Sequence, residues 1–210
     1  MDFNFLQVLL IFIVTFIAAI DQFSFLESLY QPIVTGPIVG WILGDAHTGL
    51  IAGASYQLMT IGNMPVGGAQ PPNAVVGGIV AVIFAITSVL EPNAAVAAAI
   101  PFALLGQYGV TLIFTLMASV MSKADQYAKD ANPKGIEKIN YLSMIALGTI
   151  FGLIVVFFFI AGSTFGSELA SKIPPTFMHG LDEAGGMMKY VGFVVLLRLM
   201  VSRDLWVSSL

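Results

Sequence analysis

Apolar positions run along this chain in long unbroken blocks, at residues 5–20, 33–44, 49–64, 74–90, 94–121, 141–162 and 187–201, with short polar breaks between them. Between Asp45 and Glu91 about 45 consecutive residues carry no formal charge. Two further windows, Glu91 to Lys123 and Lys138 to Glu168, are each about 30 residues long. Each can hold a membrane-spanning helix, which needs roughly 20 apolar residues. Backbone groups in a bilayer must be bonded within the chain, so spans are helices or a closed barrel. Residues 150–160 lack the alternation of a barrel strand, and helices are expected. The fold class is therefore an all-α polytopic membrane protein with about 6–7 hydrophobic helical segments. Several blocks are too short to cross. The region around Gly44 and Asp45, punctuated by Gly36, Pro37, Gly40, Gly49, Gly53 and Gly62, predicts broken or re-entrant helices, or close helix packing through small residues.

Composition agrees with that pattern: 58% of the 210 residues are hydrophobic and 10% charged, which no water-soluble domain of this size resembles. No basic residue precedes the first apolar run, so it reads as a retained helix and not as a cleaved signal. All eight Lys and Arg lie at or after Lys123, four of them within residues 122–140, and by the positive-inside rule that stretch is cytoplasmic. Cysteine is absent and histidine is limited to His47 and His179, which leaves no expected metal site or cofactor. The net charge of -4, without a basic cluster, makes nucleic acid an unexpected partner. No phosphate loop, nucleophile elbow or catalytic carboxylate pair is found, so no catalytic residue is expected.

Polar side chains inside apolar segments need a reason. Asp21 and Gln22 interrupt the first run; they either end a helix at the interface or face a cavity and bond sugar hydroxyls. Asp45, after Gly44, is expected to cap the following half-helix. Gln57 is a lone amide that must face protein or ligand. Residues 65–73 are too rich in Gly and Pro for a helix, and their amides, Gln70 and Asn73, suit recognition of a neutral polyol, although an ordinary turn has the same composition. Gln107 is expected to bond between helices, and His179 to sit in an interfacial loop.

Residues 30–45 (YQPIVTGPIVGWILGD), 47–53 (HTGLIAG), 57–62 (QLMTIG), 66–73 (VGGAQPPN), 105–107 (LGQ) and 180–188 (GLDEAGGMM), taken in order, resemble the membrane subunit IIC of the mannose/fructose/sorbose/N-acetylgalactosamine class of phosphotransferase system (PTS) permeases. The resemblance implies a multi-pass subunit of the bacterial inner (plasma) membrane that moves sugar together with a IID subunit, as an oligomer of IIC–IID units. Phosphate comes from cytoplasmic IIA/IIB components, so this chain is a non-catalytic permease subunit. It implies that Asp21, Gln22, Gln57, Gln70 and Asn73 hold the sugar. The mannose branch commonly has an acidic residue where Gln57 stands, and the QPPN form is closer to the amino-sugar branch. N-acetylgalactosamine or another hexosamine is therefore favoured, with mannose, fructose and sorbose open.

As one domain, residues 1–122 are expected to form the translocating half, 123–140 a cytoplasmic loop, and 141–210 the C-terminal membrane segments. Relatives continue past the position of Leu210, so the chain is expected to be truncated, which raises the alternative of an inactive or scaffolding fragment. The rival mechanism is an ion-coupled secondary sugar transporter using Asp21 and Asp45.

Overall fold

A computed structural model of the chain describes residues 4–63, 71–88, 90–172 and 174–200. Seven helices account for the described residues: α1 (Phe5–Ser24), α2 (Pro32–Leu43), α3 (Ala46–Thr60), α4 (Ala74–Thr87), α5 (Pro92–Lys129), α6 (Pro133–Lys172) and α7 (Pro175–Met200). Three among them are long and apolar enough to cross a membrane, over Phe5–Ser24, Pro92–Lys129 and Pro133–Ala161. Many of their large side chains face outward, Phe5, Leu112 and Phe157 among them, as the surface of a multi-pass protein in lipid requires.

The short helices behave differently. At 12 and 15 residues, α2 and α3 are about 18 and 23 Å long, less than the roughly 30 Å hydrocarbon layer. They form a hairpin closed by Gly44, whose φ of 96° is open to glycine and costly for other residues. Their backbones touch along Gly36, Gly40, Gly49 and Gly53. A Cβ on Gly49 would lie 2.5 Å from the Gly36 carbonyl oxygen and 2.7 Å from the Gly40 Cα. The broken-helix and small-residue readings therefore both describe this hairpin. Helix α4 is shorter than a span too, with 14 residues, yet every residue from Val75 to Ile83 is buried. It is hydrophobic all round because protein surrounds it on all sides, α2, α3, α5, α6 and α1 included.

Two expectations are corrected. The polar stretch 123–140 is not a loop: α5 continues to Lys129, α6 starts at Pro133, and only three residues turn between them. Lys, Gln and Ala are good helix formers, and charge alone does not end a helix. What ends α5 is the left-handed Ala131 (φ 49°), followed by Pro133. The side chain of Asn132 then accepts the Gly135 N–H at 3.1 Å, and Gly135 sits against the ring of Tyr127. His179 lies within α7, exposed, with Nδ1 3.9 Å from Glu183 Oε1, because Pro174 and Pro175 begin that helix and do not prolong the loop.

Candidate functional site

Where the short helices end, a cavity opens. The last turn of α1 brings Gln22 and Phe23, the residues before α2 bring Tyr30 and Gln31, and the end of α3 brings Gln57, Thr60 and Gly62. Pro71, Pro72 and Asn73 arrive ahead of α4, and the long α5 closes the side with Gln107, Val110 and Phe114. The enclosed volume is about 510 Å³, in the range of small-molecule sites. Six amides line it: Gln22, Gln31, Gln57, Asn63, Asn73 and Gln107. No Asp, Glu, Lys or Arg is among its described lining residues.

The amides are bonded to one another across the chain. Gln57 Nε2 donates to Gln31 Oε1 at 2.6 Å, linking α3 to the start of α2. Gln57 Oε1 is buried with no partner, which costs about 1–3 kcal/mol while it stays unpaired. Asn73 has two roles. Its Oδ1 accepts the Val76 N–H at 3.0 Å and caps α4, while its Nδ2 donates to Gln22 Oε1 at 3.3 Å. Its backbone is fixed as well, with its N–H donated to the Ala103 carbonyl at 3.1 Å and its carbonyl accepting from the Tyr56 hydroxyl at 3.3 Å. Asn73 is thereby a rigid corner between α3, α4 and α5.

Of the residues expected to hold sugar, Gln22, Gln57 and Asn73 meet in this cavity. Gln70 lies outside the described residues. Asp21 is fully buried but is not in the lining; its two oxygens accept the N–H groups of Leu26, Ser28 and Tyr30 at 2.8, 3.0 and 2.9 Å. That places its carboxylate against the loop backbone. Asp45 is the N-cap of α3, accepting the Thr48 N–H at 2.9 Å and the Thr48 hydroxyl at 2.6 Å, and it stands apart from the cavity. Sequence reasoning passed over Tyr30, Gln31 and Asn63. Gln31 carried a signal, an amide directly before Pro32 at a helix start, but a loop amide is common and only the fold brings it to Gln57. Gln107, expected between helices, faces the cavity.

The sequence matches the family EII-Sor, "PTS system sorbose-specific iic component", over residues 5–210. The chain belongs to that family. It is a PTS sugar-specific IIC permease component of the mannose/sorbose/N-acetylgalactosamine class, and components of this class work with IID and IIA/IIB partners. It is 44% identical over 125 residues to the Putative N-acetylgalactosamine permease IIC component 2 of Escherichia coli (strain K12), which covers 60% of this chain and 94% of that relative. It is 31% identical over 199 residues to N-acetylgalactosamine permease IIC component 1 of the same organism, 95% of this chain and 74% of the relative. The PTS system mannose-specific EIIC component of that strain is 30% identical over 206 residues. A solved structure described as "Structure of membrane protein" superposes with a TM-score of 0.87 at 28% identity, covering 97% of this chain and 83% of that one. The "CryoEM Structure of Mannose Transporter ManYZ and Microcin E492 (MceA) complex" superposes with a TM-score of 0.72, also at 28% identity. The amide cavity of this IIC component is built where its short helices end.

Proposed function

We propose that this IIC component translocates a neutral hexose-type sugar, N-acetylgalactosamine or a related hexosamine in preference to mannose, fructose or sorbose, across the bacterial inner membrane. The observation that carries the reading is the convergence of six amides and no Asp, Glu, Lys or Arg in the described lining of one 510 Å³ cavity. Amides both donate and accept, which matches hydroxyls that do the same, and Phe23, Tyr30 and Phe114 offer apolar surface to the faces of a sugar ring. The N-caps of α2 and α4, Gln31 and Asn73, both line the cavity, and the partial positive charge of a helix N-terminus favours acceptor oxygens of a ligand. The preference for an amino sugar is supported by the relatives named for N-acetylgalactosamine and by Gln57, a neutral amide at the centre of the site. In this reading Gln22, Gln57 and Asn73 touch the sugar, joined by Gln31.

The partner is a IID subunit, with IIA/IIB supplying phosphate at the cytoplasmic side. Residues 1–122, which contribute every described lining group, act as the translocating half. An ion-coupled mechanism would place a carboxylate at the site. Asp21 and Asp45, the two candidates for that role, are both turned to backbone N–H groups.

The test is binding of radiolabelled N-acetylgalactosamine and mannose to membranes containing this chain with a IID partner. Tighter binding of N-acetylgalactosamine is expected, lost on Gln57→Ala. Equal affinity for both sugars removes the hexosamine preference, and absence of binding with both subunits associated removes the transport reading. Accumulation in vesicles under an ion gradient, with the phosphoryl donor withheld, is the result that favours the secondary-transporter mechanism.

A further inference from the structure

Asp21 is fully buried, and a buried carboxylate is costly unless its lone pairs are satisfied. Here they are satisfied by three alternate backbone N–H groups of one short segment. Oδ1 accepts from Leu26, and Oδ2 accepts from both Ser28 and Tyr30. An ordinary cap serves its own helical turn, as Asp45 does for Thr48, whereas the bonds of Asp21 reach five, seven and nine residues ahead.

The segment it grips, residues 25–31, is all that connects α1 to α2. The side chains of its first part do little to hold it: Phe25 and Leu26 are 67% and 59% exposed, and Glu27 stands at a φ of 53°, a conformation L side chains disfavour. Its last two residues, Tyr30 and Gln31, enter the cavity, where Gln31 meets Gln57.

We propose that Asp21 is a positioning residue of the transport site: its carboxylate fixes the path of residues 25–31 and so sets Gln31 against Gln57 in the cavity. This rests on the reading of the cavity as the sugar site, but the anchoring can be measured without sugar. Asn is the discriminating substitution. It keeps the size and removes the charge, and whichever way its amide turns, an N–H donor replaces one acceptor that faced backbone N–H.

The chain has no cysteine, so Gln31→Cys with Gln57→Cys gives one thiol pair for a short bis-maleimide cross-linker. In membranes containing the full chain and its IID partner, efficient cross-linking is expected with Asp21 and a several-fold lower yield with Asp21→Asn. Unchanged yield overturns the proposal whatever the sugar does. In the otherwise unaltered chain, Asp21→Asn is expected to weaken N-acetylgalactosamine affinity by about tenfold or more, a change no larger than a few broken contacts supply. Gln31→Ala should weaken it too, and the double variant should lose little beyond either single one, because one residue acts through the other. Fully additive losses mean that Asp21 supports the fold generally and does not act through Gln31, which also overturns it. All variants are compared per inserted, IID-associated chain, so a drop in folded amount does not imitate the effect. If the unaltered chain binds no sugar, the transport reading fails while the cross-linking result still decides the anchor.

Discussion

At the scale of single residues, four of the six amides are fixed in pairs, Gln57 with Gln31 and Asn73 with Gln22. Asn73 is the clearest case, because capping α4 and bonding Gln22 use different ends of one side chain. The two roles separate by substitution. Asn73→Ser keeps an oxygen able to cap the Val76 N–H, so thermal stability of the purified complex should stay near that of the parent, while sugar affinity falls. Asn73→Ala should lose affinity and in addition about 1 kcal/mol of stability, the usual worth of a cap. Equal melting of the two variants counts against the capping role. The sequence made Asn73 and Gln57 visible as polar residues in apolar surroundings. It could not reveal that Gln31 belongs with them, since a contact across 26 residues is a property of the hairpin that brings them together.

At the scale of elements, the α2–α3 hairpin depends on glycine for its spacing. A Cβ at Gly49 meets backbone, which cannot rotate away as a side chain can. Gly49→Ala is expected to destabilise by about 1–3 kcal/mol, as forced overpacking generally does. Gly180, with nothing within 4 Å of its added Cβ, should accept alanine without loss. Denaturation of the two variants side by side in the same detergent checks the contrast; equal or greater stability of both would show that the gain in helix propensity, and not the close approach at Gly49, governs. Because the hairpin carries Gln31 at one end and Gln57 at the other, Gly49→Ala should weaken sugar binding as well. The glycines were legible as a group, but their pairing was not, since spacing along the chain does not say which helix face meets which.

At the scale of the whole molecule, the ends of the short helices meet the long α1 and α5 at the site. Helices α5 and α6, of 38 and 40 residues, are about 57 and 60 Å long and extend well beyond a 30 Å hydrocarbon layer. Their tip carries Lys123, Lys129, Lys134 and Lys138, and the positive-inside rule predicts that it lies on the cytoplasmic side. A thiol introduced as Asp130→Cys should be labelled by a membrane-impermeant maleimide in inverted vesicles and protected in intact cells; the reverse pattern would invert the topology of the chain.

By itself the sequence determined the class of protein and that its membrane segments are about six or seven helices. Those properties follow from transfer of side chains between water and lipid, which each segment undergoes independently of the others. It also marked interrupted helices, because glycine and proline act on local backbone. Only the tertiary structure decided that residues 123–140 are helix apart from a three-residue turn, that six amides from five places in the chain share one cavity, and that Asp21 turns to the backbone of its own loop. Each of these depends on which groups are left unbonded once all helices have packed, and a buried carboxylate or amide takes whatever partner the assembled fold offers.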